Sequence, residues 1–321
     1  MPTRALQAAI RMLRVCADLK PRERLLIVTD MNTDPTIPLT IAKAGTKLAA
    51  EVVIVTMRPR KLPGEEPPAP VTAAMCVSEV IICPTSTTLF HTKAKDLACK
   101  NGARLISMTG IVPSVLTSNA MLADFDRQKK VVERLAKHLT RAKRIRLTNP
   151  AGTDLTLNVT GREGHVVTGI CRKPGDSTGV PDIEAYIAPL ESSVNGRLTV
   201  DGSTSVTGIA RNPLVLDIVQ GRVKRIRGGT QATRLVGILR RTRSNNAFRV
   251  GEFGIGLNPL ARIRGAIIED EAALGTAHIA LGDNHNFGGR NKAPTHVDMV
   301  VKSPRVELDG RTVLIGRRLL A

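Results

Sequence analysis

Aromatic side chains are nearly missing from this chain, which has no tryptophan, one tyrosine and five phenylalanines in 321 residues. A protein that reads single-stranded nucleic acid stacks the bases on such rings, so their scarcity argues against that class. Acidic residues are also in short supply: 28 Asp+Glu stand against 47 Lys+Arg, a formal charge of +19, and residues 222–249 carry nine basic side chains and no acidic one. No helix-turn-helix, zinc-finger or RNA-binding pattern accompanies this charge. Nucleic-acid association is therefore the weaker reading and a solvated arginine-rich face the favoured one, while a small, anionic substrate drawn in by the positive field lies between the two. The five cysteines (Cys16, Cys76, Cys83, Cys99 and Cys171) are scattered and never form a C-x-x-C pair, which leaves no disulfide framework and no cysteine metal site. No run of 18 uncharged apolar residues occurs, and charges interrupt the apolar positions of MPTRALQAAIRMLRVCADLKPRE. Neither a membrane span nor a signal-peptide core is expected, and the chain reads as cytoplasmic.

The 42% of hydrophobic residues suffices for two cores, and the pattern changes between the two halves. RLLIVTD (24–30), EVVIVTM (51–57), EVIICPT (79–85) and RLISMTG (104–110) read as fully buried strands. DPTIPLTIAKAGTKLAA and HTKAKDLACKNGA, which lie between them, have helical spacing. This alternation predicts a doubly wound parallel sheet. The turn after the first strand, TDMNTDP, lacks G-x-G-x-x-G, so no dinucleotide is expected. RPRKLPGEEPPAP (58–70) reads as a Pro-rich loop. After a junction helix in DFDRQKKVVERLAKHLTRAKR, hairpin patterns follow in RIRLTNPAGTDLTLNVT, LVLDIVQGRVKRIRGG and RVELDGRTVLIG. The expected fold is α/β plus α+β: a Rossmann-like domain over residues 1–142 and a β-rich, metal-binding domain over residues 143–321.

The stretch GTAHIALGDNHNFGGRNKAPTHVDMVV (275–301) holds three of the six histidines. In THVDMVV, His296 and Asp298 stand at i and i+2, on one face of a strand. His278 lies in the apolar run AHIAL, which the Gly- and Asn-rich segment between them is able to fold back alongside. Imidazole and carboxylate together suit Zn, Mn, Fe or Co. A lone strand histidine is usually a hydrogen-bonded core or surface residue, but three within this stretch favour a metal. Glu252, in VGEFGIGLNP, and Glu184, in VPDIEAYIAP, sit among apolar neighbours, and a metal explains the burial of such carboxylates. For Glu184 an exposed edge-strand position explains the pattern as well.

The series PDIEAYIAP, VNGRLTVDGS, GRVKRIRGG, EFGIGLNP, EDEAALGTAHIALGDN and GGRNKAPTHVDMVV resembles the aminopeptidase T family of metallo-aminopeptidases, in particular its shorter leucyl aminopeptidase-like relatives. Dihydroxypyridine dioxygenases belong to the same superfamily. The resemblance implies that Glu184, Glu252, His278, His296 and Asp298 match the five ligands of two divalent ions in the peptidase branch. In the dioxygenase branch a histidine stands where this chain has Glu252, and apolar residues stand where it has Glu184 and His278. The family's catalytic tyrosine falls on His285. His91, in LFHTKAK, resembles a pocket histidine of the dioxygenases; a solvated helix-start residue is the equal alternative.

On this reading the leading expectation is a cytoplasmic metallohydrolase cutting an amide-type bond of a small substrate. Two Zn, Co or Mn ions activate a water, and His285 steadies the oxyanion or carries a proton. The alternative enzyme is a non-haem Fe(II) ring-cleaving dioxygenase, with His296, Asp298 and either His278 or Glu252 as ligands. A basic nucleic-acid-associated protein is the non-enzymatic alternative. A homo-oligomer is expected from the resemblance alone.

Overall fold

The computed structural model describes residues 3–48, 50–90 and 92–320. They form two compact units, residues 1–129 with 168–182 and residues 130–167 with 183–321.

The first unit is built on a parallel sheet of β1 (Arg24–Asp30), β2 (Glu51–Met57), β3 (Val80–Cys83), β4 (Arg104–Ser107) and β8 (Ser177–Gly179), in the order β2-β1-β3-β4-β8. Apolar runs such as LLIV in β1 and VIIC in β3 are buried throughout, as strands covered on both faces require. Strand β2 departs from the expected full burial, since Val53 is 50% exposed. Hydrophobicity alone cannot separate an edge strand, paired among the described residues only with β1, from a central one. The Pro-rich loop also ends sooner than expected, because a helix starts at Ala69 with Pro70 in its first turn, where a missing N–H removes no helical bond.

A single boundary at residue 142 does not describe the two units. The chain passes to the second unit near Lys130, inside the helix Phe125–Arg141, and residues 168–182 return to the first. The cause is β8, whose three residues lie parallel to β4. So short a strand, cut from the polar stretch DSTGV, has no hydrophobic period to announce it.

The second unit has two antiparallel sheets. The first contains β5 (Arg144–Thr148), β6 (Asp154–Asn158), β10 (Asn195–Val200), β13 (Leu214–Val219), β14 (Arg222–Arg227), β18 (Arg305–Leu308), β19 (Arg311–Ile315) and β20 (Arg318–Leu319). Here Ile145, Leu147, Leu155 and Leu157 point inward while their neighbours face water, the alternation of a half-covered sheet. The expected hairpins appear as β5–β6, β13–β14 and β18–β19. The second sheet contains β7 (Gly164–Val167), β9 (Glu184–Ile187), β11 (Ser203–Thr204), β12 (Gly208–Ile209), β15 (Val250–Gly256), β16 (Thr276–Gly282) and β17 (His296–Lys302), in the order β12-β11-β17-β16-β15-β9-β7. Its central strands β15 and β16 are buried at every position. Among the described residues no helix is long and apolar enough to cross a membrane.

Candidate metal centre

Four adjacent strands of the second sheet carry the expected donors. Glu252 on β15 is paired with Ala280 on β16, and Ala280 with Asp298 on β17, so these three form one transverse row. In the next row Tyr186 on β9 faces Gly254, and Gly254 faces His278. His296 and Glu184 lie two residues from Asp298 and Tyr186 on their strands. Residues directly opposite, or two apart along a strand, share a face. The antiparallel register thus brings Glu184, Glu252, His278, His296 and Asp298 to one side of the sheet. The interposed residues are small, Gly254 and Ala280, which leaves space over the backbone for the longer side chains.

The donors touch in a chain. His278 Nε2 lies 3.3 Å from Glu184 Oε2 and 3.2 Å from Glu252 Oε1; His296 Nε2 lies 3.4 Å from the other oxygen of Glu252 and 3.1 Å from Asp298 Oδ1. Glu184 and Glu252 are each 6% exposed and His278 1%, and one ligand atom from each of these three lies within 4.8 Å of the others. Glu184 is no edge residue, since β9 is paired on both sides. Three carboxylates facing two imidazoles in a buried setting carry excess formal negative charge, which a divalent cation offsets. The donor chemistry fits such an ion: two imidazole nitrogens and a carboxylate are the set that holds non-haem Fe(II) with positions left open.

Burial by itself lowers the pKa of His296, but the Asp298 and Glu252 carboxylates beside it outweigh burial and raise it from 6.5 to about 10. Burial likewise pushes Asp298 up, and His296 and then His278 override it to hold the carboxyl below its ordinary value. In the metal-free protein a proton on His296 therefore occupies the place of a cation. His296 Nδ1 donates to the carbonyl of Asp283 at 2.8 Å, which orients the ring and leaves Nε2 toward the donors.

Residues that sequence reasoning passed over hold this arrangement. A Cβ on Gly254 would sit 2.1 Å from both Cε1 and Nε2 of His278, so only glycine leaves the imidazole its position. Asn284 donates to Gly251 O at 3.1 Å and accepts from Asn291 N at 2.8 Å, while Asn291 donates to Gly282 O at 2.6 Å. These bonds tie the polar segment after β16 to the ends of β15 and β16 and fix Asp283. The abundance of Asn in GDNHNFGGRN was the available signal; the partners were not. His285 is 46% exposed at its side chain, and its Nδ1 pairs with Asp283 Oδ2 at 2.6 Å rather than with the donor chain. His91 lies outside the described residues.

A family model described as NicX, 2,5-dihydroxypyridine 5,6-dioxygenase, matches residues 4–320. The 2,5-dihydroxypyridine 5,6-dioxygenase of Pseudomonas putida (strain KT2440) is 23% identical over 245 residues, spanning 73% of this chain and 69% of that protein. The solved structure of 2,5-dihydroxypyridine dioxygenase from the same organism superposes with a TM-score of 0.80 at 20% identity, covering 100% of this chain and 99% of that one. Wild-type AmpT (aminopeptidase T) from Thermus thermophilus superposes with a TM-score of 0.69 at 14% identity, over 99% of each chain. The fold of this chain is shared by both solved structures. The expectation of an aminopeptidase-type hydrolase is overturned by the family match. Glu, His and Asp donors accept many divalent ions, so the residues alone do not select between the chemistries.

Two outcomes follow from the geometry. Gly254→Ala displaces His278, and bound metal per chain is expected to fall with affinity reduced on the order of tenfold or more, while circular dichroism remains that of the folded protein; full metal binding by this variant contradicts the assignment. Because the pKa of His296 is raised on folding, its contribution to metal-free stability is fully present below 6.5 and is lost as pH rises through about 10. Metal must displace that proton, so apparent metal affinity is expected to climb with pH by up to about tenfold per unit below that value, with a flatter profile in His296→Ala by competition titration.

Proposed function

The chain belongs to the 2,5-dihydroxypyridine 5,6-dioxygenase family, and from that premise we propose that it is a non-haem iron dioxygenase opening the ring of a small hydroxylated pyridine-type substrate. Family membership carries the reading, and the donor set is chemically consistent with it. In this proposal His278, His296 and Asp298 are the two imidazoles and one carboxylate that hold Fe(II). Glu252, whose two oxygens contact both imidazoles, links them in the chain of donors. By the resemblance, the dioxygenase branch has a histidine where this chain has Glu252. The second imidazole comes here from the neighbouring strand, as His278 reaches across Gly254 to within 3.2 Å of that carboxylate.

When bound, iron supplies the open coordination positions and redox chemistry that ring cleavage by dioxygen needs. The protein's part is positioning and proton handling. Asp283, through its carbonyl, holds the His296 ring in orientation. Glu184, buried 3.3 Å from His278, adds negative charge that favours the cation and accepts a hydrogen bond from a protonated partner. His285, half exposed and paired with Asp283 Oδ2 at 2.6 Å, stands between this segment and solvent, where an imidazole is placed to relay a proton. The excess of basic residues favours approach of an anionic hydroxypyridine or pyridine carboxylate.

The test is oxygen uptake by protein loaded anaerobically with Fe(II), with 2,5-dihydroxypyridine as substrate. Uptake matched by loss of ring absorbance is expected, falling on the order of a hundredfold or more in His296→Ala and Asp298→Ala together with their bound iron. Iron-loaded, folded protein that leaves a panel of hydroxylated pyridines untouched refutes the reading.

A further inference from the structure

The row of residues that holds Gly254 and His278 continues through Tyr186 to His165 on β7, on the face that carries the donors. His165 and Tyr186 lie with ring centroids 5.4 Å apart and planes tilted by 30°. Phe287, from the segment between β16 and β17, stands edge-on to both, at 6.3 Å and 5.4 Å, and edge-on to His296 at 6.1 Å. Four rings thus make a continuous wall that ends on a donor imidazole. Tyr186 is the chain's one tyrosine and Phe287 one of its five phenylalanines.

One polar atom interrupts the wall. His165 Nε2 is buried and has no hydrogen-bond partner among the described residues. A buried ring nitrogen left in that state is unfavourable, and a ligand group that reaches it removes the deficit. Tilted and edge-to-face rings in turn provide the geometry against which another flat ring packs well.

We propose that His165, Tyr186 and Phe287 form a binding subsite for a flat heteroaromatic ring bearing a hydroxyl or carboxylate, packed on the aromatic wall and hydrogen-bonded to His165 Nε2. The subsite deepens the dioxygenase reading, on which it rests for what is done to the ring; binding of the ring is tested separately. Within the subsite Tyr186 and Phe287 set the plane of the ring, and His165 sets its rotation by engaging one polar substituent. A ring of the same shape without that substituent packs equally well but loses the hydrogen bond, so His165 discriminates by substitution pattern rather than by size.

The chain itself supplies the probe. With no tryptophan and a single tyrosine, its intrinsic emission comes from Tyr186. Iron-loaded protein under anaerobic conditions is titrated with 2,5-dihydroxypyridine, 3-hydroxypyridine and unsubstituted pyridine while that emission is followed, and oxygen uptake is measured in parallel. Saturable quenching by the hydroxylated rings is expected, weakened by about tenfold in His165→Phe and partly restored in His165→Gln, with iron content unchanged in both and the preference over pyridine lost in His165→Phe. Quenching that depends on His165 without any oxygen uptake upholds the subsite and refutes the dioxygenase reading. Emission that no ring compound alters, or ring binding indifferent to His165→Phe, overturns the subsite even where oxygen uptake is normal.

Discussion

Three carboxylates crowded against two imidazoles on one face of a buried sheet constitute the constraint around which the second unit is organised. Glu184, Glu252 and Asp298 carry more formal negative charge than His296, held protonated by its neighbours, balances. Such charge persists away from water only when a cation completes it. The antiparallel register supplies the geometry: each donor enters from a different strand or from alternate positions of one strand, and the positions between them are glycine or alanine. A shift of one residue in any of these strands turns its donors to the other face. The deep burial of β15 and β16 therefore serves the site as well as the core, because strands covered on both faces cannot slip.

Support comes from backbone bonds rather than from bulk. The Asn284 and Asn291 side chains bind carbonyls at the ends of β15 and β16, and this holds the Asp283 carbonyl against His296 and Phe287 beside the donors. A donor cluster placed on strands and braced by a tied segment keeps its geometry without a large aromatic core. That economy suits a chain whose few aromatic residues include a wall running up to the donor imidazole.

Much of this was legible in the sequence, because each readable feature has a short period. The apolar runs of β1, β3 and β4, the three hairpins and the same-face pair His296 and Asp298 follow from alternation and turn chemistry alone. The burial of Glu184 and Glu252 was readable from their apolar neighbours only as a choice, for Glu184, between a buried donor and an edge residue; strand pairing on both sides of β9 decides it. What escaped depends on distant parts of the chain. The half-exposed β2 has the composition of a central strand, and β8 joins the parallel sheet from far along the sequence. Gly254 matters because of an imidazole on the next strand, a relation no local pattern records. The choice between hydrolysis and ring cleavage escaped for a chemical reason, since one donor set serves several metals; the family match is what overturns the hydrolase expectation.

The central claim is that these five side chains form one metal centre. The most direct measurement is anomalous diffraction at the iron absorption edge from crystals of the Fe(II)-loaded protein kept free of oxygen. The account predicts an anomalous peak on the donor face of β15, β16 and β17, within bonding distance of His278, His296 and Asp298 and adjacent to Glu252. A peak away from these side chains, or iron-loaded crystals in which the donor face carries none, contradicts it.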